Sequence, residues 1–140
     1  MRIGLVTDSL AHLDRESMLD ACRDIGIAAL EIGCGAWSGA PHLDLAAMLA
    51  SATERRALLA AIERRGLDLV ALNCSGNPLH PGSNGEQHHD TTVKTIRLAG
   101  LLGVERVVLM SGCPGGPGDA NANWITTAWP PATDRVLEWE

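Results

Sequence analysis

Gly66-Leu67-Asp68-Leu69-Val70-Ala71-Leu72-Asn73-Cys74-Ser75-Gly76-Asn77-Pro78-Leu79-His80-Pro81-Gly82 is the stretch on which the fold turns. It opens with a glycine suited to ending a helix, runs through the apolar residues 69–72 without polar alternation, and passes into a loop of Asn, Ser, Gly and Pro. A strand without alternation has both faces covered, which is the condition of parallel sheets. Three more short runs read the same way, at residues 3–6, 29–32 and 107–110.

Segments of helical period lie between these runs. Met18, Leu19, Cys22 and Ile25 share one face of a first helix that ends at Gly26. A second begins near Ser51, where Glu54 completes a capping-box pattern, turns Leu58 and Ile62 inward, and stops at Gly66. Its Arg55, Arg56, Arg64 and Arg65 are interleaved with Glu54 and Glu63, which predicts a solvated, salt-bridged outer face rather than a nucleic-acid patch. A third helix, from about Asp90 to Gly103, sets Val93, Ile96 and Gly100 inward. Strands alternating with helices in this order are a run of βα units and predict an α/β fold with a parallel sheet.

The loops after the strands, residues 7–14, 33–44, 73–89 and 111–131, are long and polar, whereas those after the helices are little more than a glycine. The working face therefore belongs at the strands' carboxyl ends. The first of these loops reads Thr7-Asp8-Ser9-Leu10-Ala11-His12 instead of G-x-G-x-x-G, which disfavours a dinucleotide fold. The run Gly112-Cys113-Pro114-Gly115-Gly116-Pro117-Gly118 has no Lys-Ser/Thr after it, and its prolines remove amide donors a phosphate would use, so it reads as a flexible loop. After Trp129-Pro130-Pro131, Thr133 or Asp134 could cap a helix that is barely begun at Glu140. Four βα units are half of an eight-stranded barrel, which takes about 250 residues. The expectation is one partial domain over residues 1–140, the amino-terminal half of a (β/α)8 TIM barrel truncated at its carboxyl end.

A hydrophobic content of 46% suffices for a core, while a formal charge of −6 argues against nucleic acid or an anionic membrane as partner. No run approaches the roughly 20 apolar residues of a membrane span. The first ten residues turn polar too soon for a signal peptide, so cytoplasm is the expected location. Cys22, Cys34, Cys74 and Cys113 are far apart and form no C-x-x-C pair, which suits free thiols. A zinc reading of Cys34, Cys74 and Cys113 competes with their use as small buried filler.

Glu31 interrupts an apolar strand, where an unpaired carboxylate would be costly to bury, so it points to a polar site or to a salt bridge with a helix arginine. Asp8 follows the first strand and either binds a substrate hydroxyl or caps the turn. Asn73 opens the densest polar loop, and His80 within it is the best single candidate for substrate or metal contact. His88-His89-Asp90 reads as a helix start with two exposed histidines. Trp37, Trp124 and Trp129 fall in loops after strands, where indoles stack on sugar faces or act as lids.

Together, Gly4-Leu5-Val6-Thr7-Asp8-Ser9-Leu10, Leu30-Glu31-Ile32-Gly33, Ala71-Leu72-Asn73, Ser75-Gly76-Asn77-Pro78-Leu79-His80-Pro81, Leu98-Ala99 with Leu102-Gly103, and Ser111-Gly112 through Trp124 to Trp129-Pro130-Pro131 resemble the sugar phosphate isomerase/epimerase family of the xylose isomerase-like barrels. The resemblance implies a barrel that binds a divalent metal (Mn, Mg, Co or Zn) and moves a proton or hydride between adjacent carbons of a sugar or polyol. In such families the metal ligands come from later strands, so it implies no metal ligand in this chain. It implies instead a substrate-side or supporting role for Glu31, Asn73 and His80, to which the reading of the residues adds Asp8, Trp37 and Trp124 as substrate-binding candidates, with the catalytic residues unassigned and the 140-residue chain inactive alone. The partner expected is a small sugar or sugar phosphate, and homo-oligomerisation stays open. Two rival readings are a DNA hydrolase similar to apurinic endonucleases and a non-catalytic assembly module of paired half-barrels.

Overall fold

A computed structural model describes residues 2–120, 122, 125–126 and 137–138. Strands β1 (Gly4–Val6), β2 (Ala29–Gly33), β3 (Asp68–Asn73) and β4 (Val107–Val108) lie side by side in sequence order, all parallel. Parallel neighbours need crossovers. These are made by α1 (Arg15–Asp24), by α2 (Leu45–Ala50) with α3 (Ala52–Glu63), and by α4 (Ser83–Leu102). The α/β class and the parallel sheet are those the unalternated runs require.

Leu30 and Ile32 of β2 and Leu72 of β3 are wholly buried. They share one core with Met18, Leu19 and Cys22 of α1, Leu58 and Ile62 of α3, and Leu98 and Leu102 of α4. Burying one large aliphatic side chain contributes about 1.5–3 kcal/mol, so the packing of helices on the two central strands dominates stability. The helix starts follow local rules. Asp14 accepts from Ser17 N at 2.8 Å, and Ser51 Oγ accepts from Glu54 N at 3.2 Å while its own N–H ends α2 on Ala47 O.

A single irregularity in β3 decides which residues face the helices. Leu30 pairs with Leu69 but Glu31 pairs with Ala71, so Val70 is an extra residue. One extra residue exchanges the two faces beyond it. Leu72 thereby joins the core opposite Ile32, and Asn73, opposite Gly33, turns to the face that carries Glu31.

The structure corrects several expectations. Ile25 is 68% exposed because α1 stops at Asp24 and Ile25 belongs to the turn that ends it. The third long helix starts at Ser83 and not near Asp90; its first turn is so polar that no apolar period announces it. That turn packs closely, since a Cβ on Gly85 would lie 1.9 Å from the His80 carbonyl oxygen. Asp90 therefore caps nothing and pairs with Lys94 at 2.5 Å, one turn on. The buried face of α4 is Thr95, Leu98, Ala99 and Leu102, whereas Val93 and Ile96 are over half exposed.

The run at residues 107–110 yields a strand of only two residues, with Leu109 and Met110 exposed beyond it. Arg65 is salt-bridged as expected of the arginine-rich face, but across to α1, at 2.8 Å from Asp20 and 3.0 Å from Glu16, and not to Glu54 or Glu63. That contact holds the Asp20 carboxyl below its ordinary value, the Arg65 hydrogen bond being the largest cause. Arg55 donates to the carbonyls of Met48 and Leu49 at the end of α2. Where the sequence suggests a loop and a nascent helix, β5 (Ile125–Thr126) and β6 (Leu137–Glu138) form a separate antiparallel pair. Thr133 and Asp134 lie outside the described residues. No described helix is long and apolar enough to cross a membrane.

Candidate functional site

The carboxyl ends of β1, β2 and β3 bring three of the singled-out residues together. Glu31 is half-buried on the sheet face away from the helices, and Asn73 Nδ2 donates to its Oε1 at 2.6 Å. The amide has no freedom to flip, because Asn73 Oδ1 accepts from Ser75 N at 2.8 Å in an Asx turn. Glu31 thus has a hydrogen-bond donor for a partner, and the alternative of a salt bridge to a helix arginine is not what the structure shows. Among the described residues, Asn73 is the hydrogen-bond partner shown for this carboxylate, through one of its two oxygens.

Asp8 sits in the 3-10 turn Thr7–Leu10 after β1. Its carboxylate lies directly over Gly33, where an added Cβ would be 2.6 Å from Asp8 Oδ1 and 2.4 Å from Ser38 Oγ. Gly33 and Glu31 are two residues apart on one strand and so share a face. Glu31 and the Gly33 position beneath the Asp8 carboxylate are therefore one strand repeat apart, about 6–7 Å along β2. Asp8 Oδ1 is buried and has no hydrogen-bond partner among the described residues.

Trp37 closes one side of this region. Its backbone N–H donates to Ser75 O at 3.0 Å, and its ring meets His88 edge-on, with centroids 6.2 Å apart. His88, read from the sequence as exposed, is half-buried and accepts from Asn77 N through Nδ1 at 2.9 Å. Gly76 allows this approach, since a Cβ there would come within 3.0 Å of the His88 ring. Asn77 in turn clamps the glycine-rich loop: its Oδ1 accepts from Cys113 N at 2.8 Å and its Nδ2 donates to Cys113 O at 3.0 Å. His80 instead turns to its own loop, accepting from Gly82 N through Nδ1 at 3.0 Å. Trp124 and Trp129 lie outside the described residues.

Ser38, Ser75, Asn77 and His88 are site-building residues that the sequence reading passed over. For the asparagines the signal was present, because Asn73-x-Ser75 and Asn77-x-Leu79 both have Asx-turn spacing. For His88 it was not, since the pairing depends on a helix turn that polar residues conceal.

All four cysteines are free thiols, and Cys34 and Cys74 are buried beside Thr95 and Thr92. Burial pushes the Cys34 thiol up to about 12, with the neighbouring Cys74 adding to the rise and the Thr95 hydroxyl opposing it. Both thiols pack as small side chains of the interior. No three His, Cys, Asp or Glu among the described residues are grouped to hold a metal ion. A cleft of about 300 Å³ lies at the opposite end of the sheet, among Leu59, Ile62, Leu67, Leu69 and Leu102. It contains none of the residues above.

No protein-family model matches the chain. Over 145 aligned positions it is 50% identical to "Uncharacterized protein YfiH" of Bacillus subtilis strain 168, an alignment that takes in all of this chain and 46% of the relative. The chain thus spans under half the length of the curated relative it matches. Among solved structures it is similar to a xylose isomerase domain containing protein of Salmonella typhimurium LT2, with a TM-score of 0.54 and 22% identity over 84% of this chain and 38% of that one. The likeness establishes the fold: the four parallel strands and their helices correspond to part of a xylose isomerase-like TIM barrel.

Proposed function

We propose that this chain forms the substrate-positioning side of a sugar isomerase or epimerase, a site that moves a proton or hydride between adjacent carbons of a sugar or polyol. The observation that carries this reading is the pair of carboxylates on one sheet face, Glu31 held by Asn73 and Asp8 seated over Gly33, at the carboxyl end where barrel chemistry is done. Ionised carboxylates accept hydrogen bonds only, and sugar hydroxyls are donors to them. Fixing one Glu31 oxygen through a locked amide leaves the other oriented before any substrate arrives, which lowers the cost of ordering it on binding. Trp37 supplies an apolar wall of the kind that sugar C–H faces stack against.

A divalent ion is part of this proposal, supplying Lewis acidity toward a carbonyl when bound, and it is held by residues other than those described. The duty assigned to Asp8, Glu31 and Asn73 is to bind and orient hydroxyls. Amide NMR of the chain titrated with myo-inositol or xylose tests this directly. Shifts confined to the Asn73 side-chain amide, the Ser75 N–H and the Trp37 indole are expected, and are lost in Glu31→Gln with Asp8→Asn. Shifts spread over the helices, or none at tens of millimolar sugar, would remove the reading.

A further inference from the structure

The glycine-rich segment after β4 has two pliant ends and a stiff middle. Gly112 and Gly118 stand at φ 84° and 85°, in the left-handed region that glycine adopts without strain, and Pro114 and Pro117 stiffen the residues between them. Such a segment is a hinged strap. Because β4 runs parallel to β1, β2 and β3, the strap lies on the carboxyl face that carries Glu31 and Asp8. Among the described residues, both hydrogen bonds that tie the strap to the body of the protein come from one side chain. Asn77, 5% exposed, accepts from Cys113 N at 2.8 Å and donates to Cys113 O at 3.0 Å. The bonds further along are internal to the segment, where Asp119 accepts from Gly116 N at 2.8 Å and its own N–H returns to Gly116 O. Gly112 passes so close to Asn77 that an added Cβ would lie 2.6 Å from its Oδ1.

Asn77 is itself held by a bond that depends on a proton. Its backbone N–H donates to His88 Nδ1 at 2.9 Å, so that nitrogen keeps its lone pair and the ring proton sits on Nε2. A protonated imidazole carries N–H on both nitrogens, and two donors do not bond each other. Protonation of His88 and its hold on Asn77 therefore exclude one another. The loop after β2 brings Trp37 and Ala36 toward the ring and the loop after β3 brings Gly76 and Asn77, none of which titrates. His80, further along that second loop, is turned to Gly82. On α4 itself Glu86, His89 and Asp90 are neighbours in sequence, with Asp90 paired to Lys94; Cys74 meets the helix at Thr92, and Cys113 is reached through Asn77. Among the described residues no carboxylate forms an ion pair with His88. Moving the Asn77 peptide away from the ring takes its side chain along, and both Cys113 bonds go with the side chain. We propose that His88 and Asn77 form a proton-operated latch: a neutral ring keeps the strap pinned at Cys113, and acid frees it to swing on its glycine hinges.

NMR of the chain between about pH 7.5 and about pH 5, a span in which histidine titrates and an ordinary thiol does not, tests the latch. At the upper end the ring nitrogens of His88 are expected to report the Nε2–H tautomer. On acidification the Asn77 and Cys113 amides shift with the midpoint of the His88 ring, and the Cys113 order parameter drops from the rigid range of about 0.85 to below about 0.6. His88→Asn puts an acceptor oxygen near the place of Nδ1 and takes up no proton, so the strap stays pinned across the whole range. His88→Phe removes the acceptor and frees the strap even at the upper end. His80, which accepts from Gly82 N in the same manner, is the control, and His80→Asn leaves the response in place. Strap amides that ignore the His88 midpoint, a pH response that survives in His88→Asn or vanishes in His80→Asn, or a strap still pinned in His88→Phe would each overturn the assignment. The wild-type titration needs no variant to fold, and the amides of Leu30 and Leu72 show whether each variant has. No sugar is present, so the latch and the sugar-site reading fail independently.

Discussion

β2 and β4 have much the same apolar character in sequence, yet they end in opposite environments. In β2, Leu30 and Ile32 are wholly buried and the strand is bonded on both sides; β4, among the described residues, is bonded on one side only, and Val108 is 39% exposed. The contrast shows that an unalternated run reports the environment a strand is built for, which here is met in the middle of the sheet and not at its edge. Helix α4 divides in the same way along its length, with Leu98 and Leu102 buried on one face and Val93 and Ile96 bare on the other.

Changes in the middle of the sheet are expected to do the most damage. Inserting one residue between Ala71 and Leu72 shifts the register by one, turns Leu72 out of the core and Asn73 away from Glu31, and abolishes cooperative unfolding in a thermal melt. Leu72→Ala keeps the register and costs about 2–5 kcal/mol in chemical denaturation. Gly33→Ala drives a methyl into Asp8 and Ser38, which costs about 1–3 kcal/mol and displaces the Asp8 turn, visible as amide shifts at residues 7–10.

A pH effect of intermediate size belongs to the buried thiols. The Cys34 pKa is raised from its ordinary value of 9.0 to about 12 by burial, so the folded state holds the proton that the unfolded chain loses first. Its stabilisation is complete below pH 9 and declines as pH rises from about 9 toward 12. Cys34→Ala is expected to flatten the alkaline limb of a stability-against-pH curve. At the small end, Ile96→Ser in the lone chain is expected to change stability by less than about 0.5 kcal/mol, because the side chain it removes has little cover to lose.

How much of this was legible in the sequence follows the same division. The strands at residues 3–6, 29–32 and 69–72, the Ser51 cap and the helix-ending glycines were readable, because each depends on neighbours a few residues away. The start of α4 at Ser83 and the bulge at Val70 were not, since the first is settled by packing on the His80 loop and the second by which register buries Leu72. In the site, Glu31, Asp8 and Asn73 stood out as polar residues at strand ends, and the structure brings them together. His80 stood out equally and turns to its own loop, because a backbone amide two residues on was nearer than the sheet.

Amide hydrogen exchange on the chain alone tests the central claim most directly, that the middle of the sheet is sealed while β4, among the described residues, has a neighbour on one edge only. The account predicts that Leu30, Ile32 and Leu72 exchange only through global unfolding, while the amides of Val107 and Val108 exchange far earlier through local opening. Protection of β4 equal to that of β2 would mean that the edge is already covered, and would contradict it.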